Sequence, residues 1–121
     1  MTTGQLETAL RTTRGAGRKS LVPYITGGLG DDWVDAVRAA VDAGADAVEI
    51  GVPFSDPVMD GPTIQRASDM ALAAGATPVT ILDELRRVDV GVPLAVMTYY
   101  NLAHHMGLER FASELFDAGV C

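Results

Sequence analysis

Twice in this chain a helix-period pattern hands over to a β-rich run through the same three residues. Asp42-Ala43-Gly44 precedes Ala45 to Val52, and Asp117-Ala118-Gly119 precedes Val120 and Cys121. In each copy the glycine stands where a left-handed helix C-cap belongs. Ahead of the first copy, Trp33, Val34, Val37, Ala40 and Val41 follow the 3, 4, 7 spacing of one buried helix face. Ahead of the second, Phe111 and Leu115 take the same places in a helix spelled GLERFASELFDAG. The remaining segments fit the alternation. LVPYIT (Leu21 to Thr26), DAVEIGV (Asp46 to Val52) and PLAVMTY (Pro93 to Tyr99) read as strands. Thr63 to Ala74 reads as a helix closed by Gly75, and Thr77 caps another with Pro78 at its first position and Val79, Leu82, Leu85 and Val88 along one side. GGLGDD after the first strand supplies a turn and aspartates to accept the free N–H groups of the next helix. Leu6, Ala9 and Leu10 suggest a short N-terminal helix before the RGAGRKS break.

The order β-α-β-α-α-β-α predicts a parallel sheet joined by right-handed crossovers. After the second Asp-Ala-Gly the sequence stops as a strand begins. A complete (β/α)8 TIM barrel takes about 250 residues, so about three βα units amount to somewhat under half of one. The expected organisation is a single partial domain, with 1–19 as N-terminal helix and lead-in and 20–121 as the barrel portion.

Sixteen acidic against nine basic residues give a formal charge of −7, which argues against nucleic acid and anionic membrane as partners. Cys121 is the only cysteine, so no intrachain disulfide is possible. The first twenty residues hold no apolar core of the kind a secretory signal needs, no apolar run is long enough to span a bilayer, and a soluble cytoplasmic protein is the default expectation.

The chemistry-bearing residues cluster in EIGVPFSDPVMDGP, starting at Glu49. Alternation puts Val48, Ile50 and Val52 on one strand face and Ala47, Glu49 and Gly51 on the other. The bulky face suits a helix layer, so in a closed barrel Glu49 projects inward, near the end where barrel enzymes keep their chemistry. Its bland alternative is a strand-end Glu that reaches solvent or meets an arginine. Asp56, between Ser55 and Pro57, reads as a turn former. Asp60 is either part of an N-terminal cap or a second active-site acid. Lys19, the only lysine, precedes the first strand and so lies at the wrong end for a Schiff base. His104 and His105 are adjacent, not spaced for a shared metal, and read as a surface loop pair. GGLG lacks dinucleotide-fingerprint spacing.

Together, VPYITGG, DAGADAVEIGVPFSDPVMDGPTIQ, AAGATP and MTYYN closely resemble the tryptophan synthase α-subunit family, from about Leu21 to the end. The resemblance implies a TIM barrel that cleaves indole-3-glycerol phosphate to indole and glyceraldehyde 3-phosphate, without metal or covalent cofactor of its own. It implies a catalytic glutamate at Glu49 and a catalytic aspartate at Asp60. Tyr24 and Met97 would line the indole pocket, Thr26 would share the inward face of the first strand, and Tyr99 would lie near the carboxylates. Barrel packing is the alternative for Met97. The PFSDP turn, with Pro53, Asp56 and Pro57, would face a β subunit that carries pyridoxal phosphate, in an α2β2 assembly. Two departures stand out. Val58-Met59 replaces a Leu-Ala pair common in the family, and GGLGDD lacks the usual proline. The family's phosphate-binding glycines would fall beyond Cys121, so the resemblance implies an enzyme portion inactive alone. The competing accounts are a truncated barrel acting as an interaction module and another acid/base barrel enzyme on a phosphorylated substrate.

Overall fold

The β-branched and apolar runs at positions 24–26, 48–51 and 94–97 become three adjacent parallel strands in the computed structural model, which describes residues 4–121. The order is α1 (Gln5–Gly15), β1 (Tyr24–Thr26), α2 (Trp33–Asp42), β2 (Val48–Gly51), α3 (Pro62–Ala73), α4 (Pro78–Leu85), β3 (Leu94–Met97), α5 (Tyr100–Met106) and α6 (Leu108–Asp117). Strands neighbour one another in chain order, β1-β2-β3. Val120 then pairs in parallel with Leu94, on the edge of β3 that β2 leaves free. Gly44 and Gly119 both have positive φ, 107° and 79°, so the repeated Asp-Ala-Gly is one device used twice to end a helix and start a strand.

Alternation sorts the sheet into two faces. Val48, Ile50 and Leu94 are buried in one cluster with Trp33 and Val37 of α2 and Ile81, Leu82 and Leu85 of α4, and Ile25 and Val96 pack against it. Burying an aliphatic side chain this fully is worth about 1.5–3 kcal/mol, so this layer holds the helices to the sheet. Trp33 also donates its indole N–H to Glu84 Oε2 at 2.8 Å, joining α2 to α4. Arg86 pairs with Asp83 and with Glu114, joining α4 to α6. Asp46, at the foot of β2, accepts the Leu21 amide (2.8 Å) and the Thr13 hydroxyl (3.3 Å) and lies 3.8 Å from Arg18. One carboxylate thereby ties α1 and the lead-in to the sheet.

Several expectations are corrected. The strands are shorter than the apolar runs: β1 begins only at Tyr24, with Leu21 and Val22 exposed ahead of it. Asp31 and Asp32 make no cap: Asp32 stands at the N-cap of α2 without a side-chain hydrogen bond to it. Thr77 does cap α4, with Thr80 closing the reciprocal bond. The buried side of α4 is Ile81, Leu82 and Leu85, while Val79 is exposed and Val88 falls beyond the helix end. His104 and His105 are exposed but helical, on α5, not in a loop. That helix has 7 residues, too few for two turns of periodicity to show in the sequence. Among the described residues no helix is long and apolar enough to cross a membrane.

Candidate active site

Register builds the inner face in two rows. Tyr24, Glu49 and Ala95 stand side by side, and one step towards the strand ends Thr26, Gly51 and Met97 do the same. Glu49 is half-buried, on the face opposite Val48 and Ile50, and among the described residues it has no ion-pair partner. Tyr24 does not stay in its own row. A methyl group at Gly51 would lie 1.8 Å from Tyr24 Oη, so the tyrosine leans along the sheet across Gly51.

Above the strand ends lies a cavity of about 420 Å3, lined by Tyr24 and Val52 from the sheet side, Asp60 from the β2–α3 loop, Ser68 of α3, and Met97 and Tyr99 from the end of β3. Of the residues expected at the site, Tyr24, Asp60, Met97 and Tyr99 meet here. Thr26 is buried beside Gly51 and does not line the cavity, and Glu49 lies below it in the Tyr24 row. Ser68, which sequence reasoning passed over, is 4% exposed. Its signal was available: Ile64, Ala67, Ser68 and Ala71 form a helix stripe on α3, and Ser68 and Ala71 are its buried members.

Asp60 does not cap α3. The N-cap is Gly61, with no side-chain capping bond, and Pro62 at the first helical turn has no N–H to satisfy. The Asp60 backbone is held by Gln65, whose amide donates to the carbonyls of Asp60 (2.9 Å) and Pro57 (3.3 Å). Its carboxylate is left to face Tyr99, which donates from Oη to Asp60 Oδ2 at 3.0 Å. The same Tyr99 Oη accepts the Met59 amide at 3.0 Å, and the Tyr99 ring stacks on Phe54 with centroids 5.0 Å apart. Burial pushes the Tyr24 phenol above its ordinary value, and the charges of Asp60 and Glu49 push it further, against an opposing hydrogen bond with Thr26. Tyr99 is raised too, by desolvation and by its contact with Asp60, with the Met59 and Asp60 amides opposing. Both phenols therefore feel the negative charge gathered at this end of the sheet.

In the PFSDP turn, Pro53 and Pro57 are buried and set the shape, so Asp56 alone of the three is exposed. Its side chain takes the Ser55 hydroxyl at 2.9 Å, while its carbonyl, not its carboxylate, accepts the Val58 amide. Among the described residues no group of three or more His, Cys, Asp or Glu side chains could hold a metal ion.

The family model described as "Tryptophan synthase alpha chain" matches residues 10–121. The chain belongs to the tryptophan synthase alpha chain family. The alpha chain of Dechloromonas aromatica is 46% identical across 96% of this chain and 45% of its own length. That of Methanopyrus kandleri is 44% identical across 95% of this chain and 42% of its own. Among solved structures, tryptophan synthase subunit alpha from Legionella pneumophila superposes with a TM-score of 0.91 at 33% identity, over 98% of this chain and 47% of that one. Tryptophan synthase from Mycobacterium tuberculosis gives 0.91 at 36% identity, over 98% and 48%. The three-stranded sheet is thus an arc of a tryptophan synthase alpha TIM barrel, and the chain spans under half the length of the relatives it matches.

Proposed function

We propose that this chain supplies the N-terminal portion and both catalytic acids of a lyase that cleaves indole-3-glycerol phosphate to indole and glyceraldehyde 3-phosphate. The observation that carries the reading is the placement of Asp60: it is released from helix capping and lines a cavity above the inner face that bears Glu49. Cleavage needs a proton delivered to the indole ring carbon, a proton taken from the side-chain hydroxyl, and stabilisation of positive character on the ring nitrogen. Glu49 would move the protons. Asp60, ionised, would meet the indole N–H, taking its proton as the ring carbon is protonated and returning it to the nitrogen as the carbon–carbon bond breaks and indole leaves. Tyr24 and Met97 would hold the ring, with Thr26 buried beside Gly51 in the Met97 row and Tyr99 beside Asp60.

No step in this scheme calls for a metal or cofactor bound to this chain. Pyridoxal phosphate would belong to a β partner, met through the exposed Asp56 side of the PFSDP turn in an α2β2 assembly. Asp56 is an interface residue in this reading, and Pro53 and Pro57 are its supports.

The test joins residues 1–121 to the remainder of the Dechloromonas aromatica alpha chain and measures indole release. Turnover is expected, with a loss of about 10²–10⁴-fold in Glu49→Gln, the usual contribution of a general acid/base. The 121 residues alone should give no measurable cleavage. A Glu49→Gln chimera as fast as its parent would move the acid/base role elsewhere.

A further inference from the structure

We propose that Tyr99 is the positioning residue for Asp60, clasping the β2–α3 loop to the end of β3 so that the carboxylate faces the cavity before any substrate arrives. The inference rests on the reading of Asp60 as a catalytic acid, and goes beyond it by assigning what holds that acid in place. Three contacts converge on one side chain. The Met59 amide donates to Tyr99 Oη, Tyr99 Oη donates to Asp60 Oδ2, and the ring stacks on Phe54 from the other end of the same loop. An amide N–H can only donate and an ionised carboxylate can only accept, so the phenol proton has a single destination, Asp60. The hydroxyl is thereby fixed in direction as well as position. Oδ2 is occupied by the clasp, while Oδ1 meets no donor among the described residues and is the oxygen left for an incoming N–H.

The clasp holds the loop through the backbone of Met59, not its side chain. Met59 and Val58 are 86% and 79% exposed, so their side chains can be exchanged without touching the contact. The ring also bridges segments distant in sequence, since Asp60 and Tyr99 are 39 positions apart.

The test uses the 121-residue chain without substrate and reads two signals by NMR. In Tyr99→Phe, which keeps the ring and its stacking, hydrogen exchange at the Met59 amide should rise about tenfold, the worth of one hydrogen bond, with Ile50 in β2 unchanged. In Asp60→Asn, the Tyr99 ring carbon beside the hydroxyl should titrate closer to the ordinary tyrosine value, a signature that packing alone would not move. Unchanged Met59 exchange in Tyr99→Phe, or an unmoved Tyr99 titration in Asp60→Asn, overturns the proposal. Neither signal involves turnover. A protected Met59 amide together with an inactive chimera would therefore sink the lyase reading and leave the clasp standing.

Discussion

Tyr24 lies across Gly51: a methyl group placed on the glycine would come within 1.8 Å of the phenol oxygen and 2.3 Å of the ring carbon that bears it. The glycine in EIGV is the gap that lets Tyr24 reach from the Glu49 row into the cavity. Gly51→Ala should evict the ring and cost about 1–3 kcal/mol, as overpacking in a filled interior does. Urea unfolding measures the loss, and the Tyr24 ring resonances should report the new position; an unshifted ring would mean that the backbone yields instead.

Tyr24 also gives a pH prediction. Its phenol is raised by burial first and then by Asp60 and Glu49. Between the ordinary value of 10.0 and the higher folded value, the unfolded chain has released a proton that the folded chain keeps. The stability from this group is therefore complete below the ordinary value and is lost as pH rises through the folded one. Glu49→Gln should lower the Tyr24 titration, measured by absorbance of phenolate. A titration that stays put would place Glu49 too far away to share the site.

Asp46→Ala should loosen the N-terminal helix. The change removes the acceptor for the Leu21 amide and the Thr13 hydroxyl, at about 1–3 kcal/mol for a buried group left unpaired. Thr13 is 4% exposed, so water does not readily replace the lost partner. Proteolysis between Gly15 and Leu21 should accelerate, and equal cutting rates would show that the tie is dispensable.

Glu84→Ala should leave the indole N–H of Trp33 unpaired in a side chain only 2% exposed. A loss of about 1–3 kcal/mol is expected. Trp33 is the only tryptophan, so its fluorescence reports both the change in environment and the unfolding curve. Identical spectra and midpoints would mean that the hydrogen bond is absent in solution.

How far the letters reach is clear from individual residues. Val48 and Ile50 against Glu49 and Gly51 is a period of two, and that alone told the helix-facing side of β2 from the inner one. Thr77-Pro78, Gly44 and Gly119 are local backbone chemistry, legible wherever they occur. Helix α5 is not legible in the sequence because its 7 residues are too few to repeat a pattern. Val79 is exposed despite its apolar spacing because a short helix offers two adjacent apolar stripes, and only packing chooses between them.

The sequence by itself determined the alternation of strands and helices, the parity of each strand, and membership in a family through the block from Glu49 to Gln65. Only the tertiary structure decided what Asp60 does with its carboxylate, that Tyr24 leans across Gly51, and that Ser68 opens on the cavity. Those outcomes depend on partners tens of residues away, such as Tyr99 for Asp60. Periodicity acts within a few residues, whereas a hydrogen bond between distant segments exists only after the sheet has fixed where each strand ends.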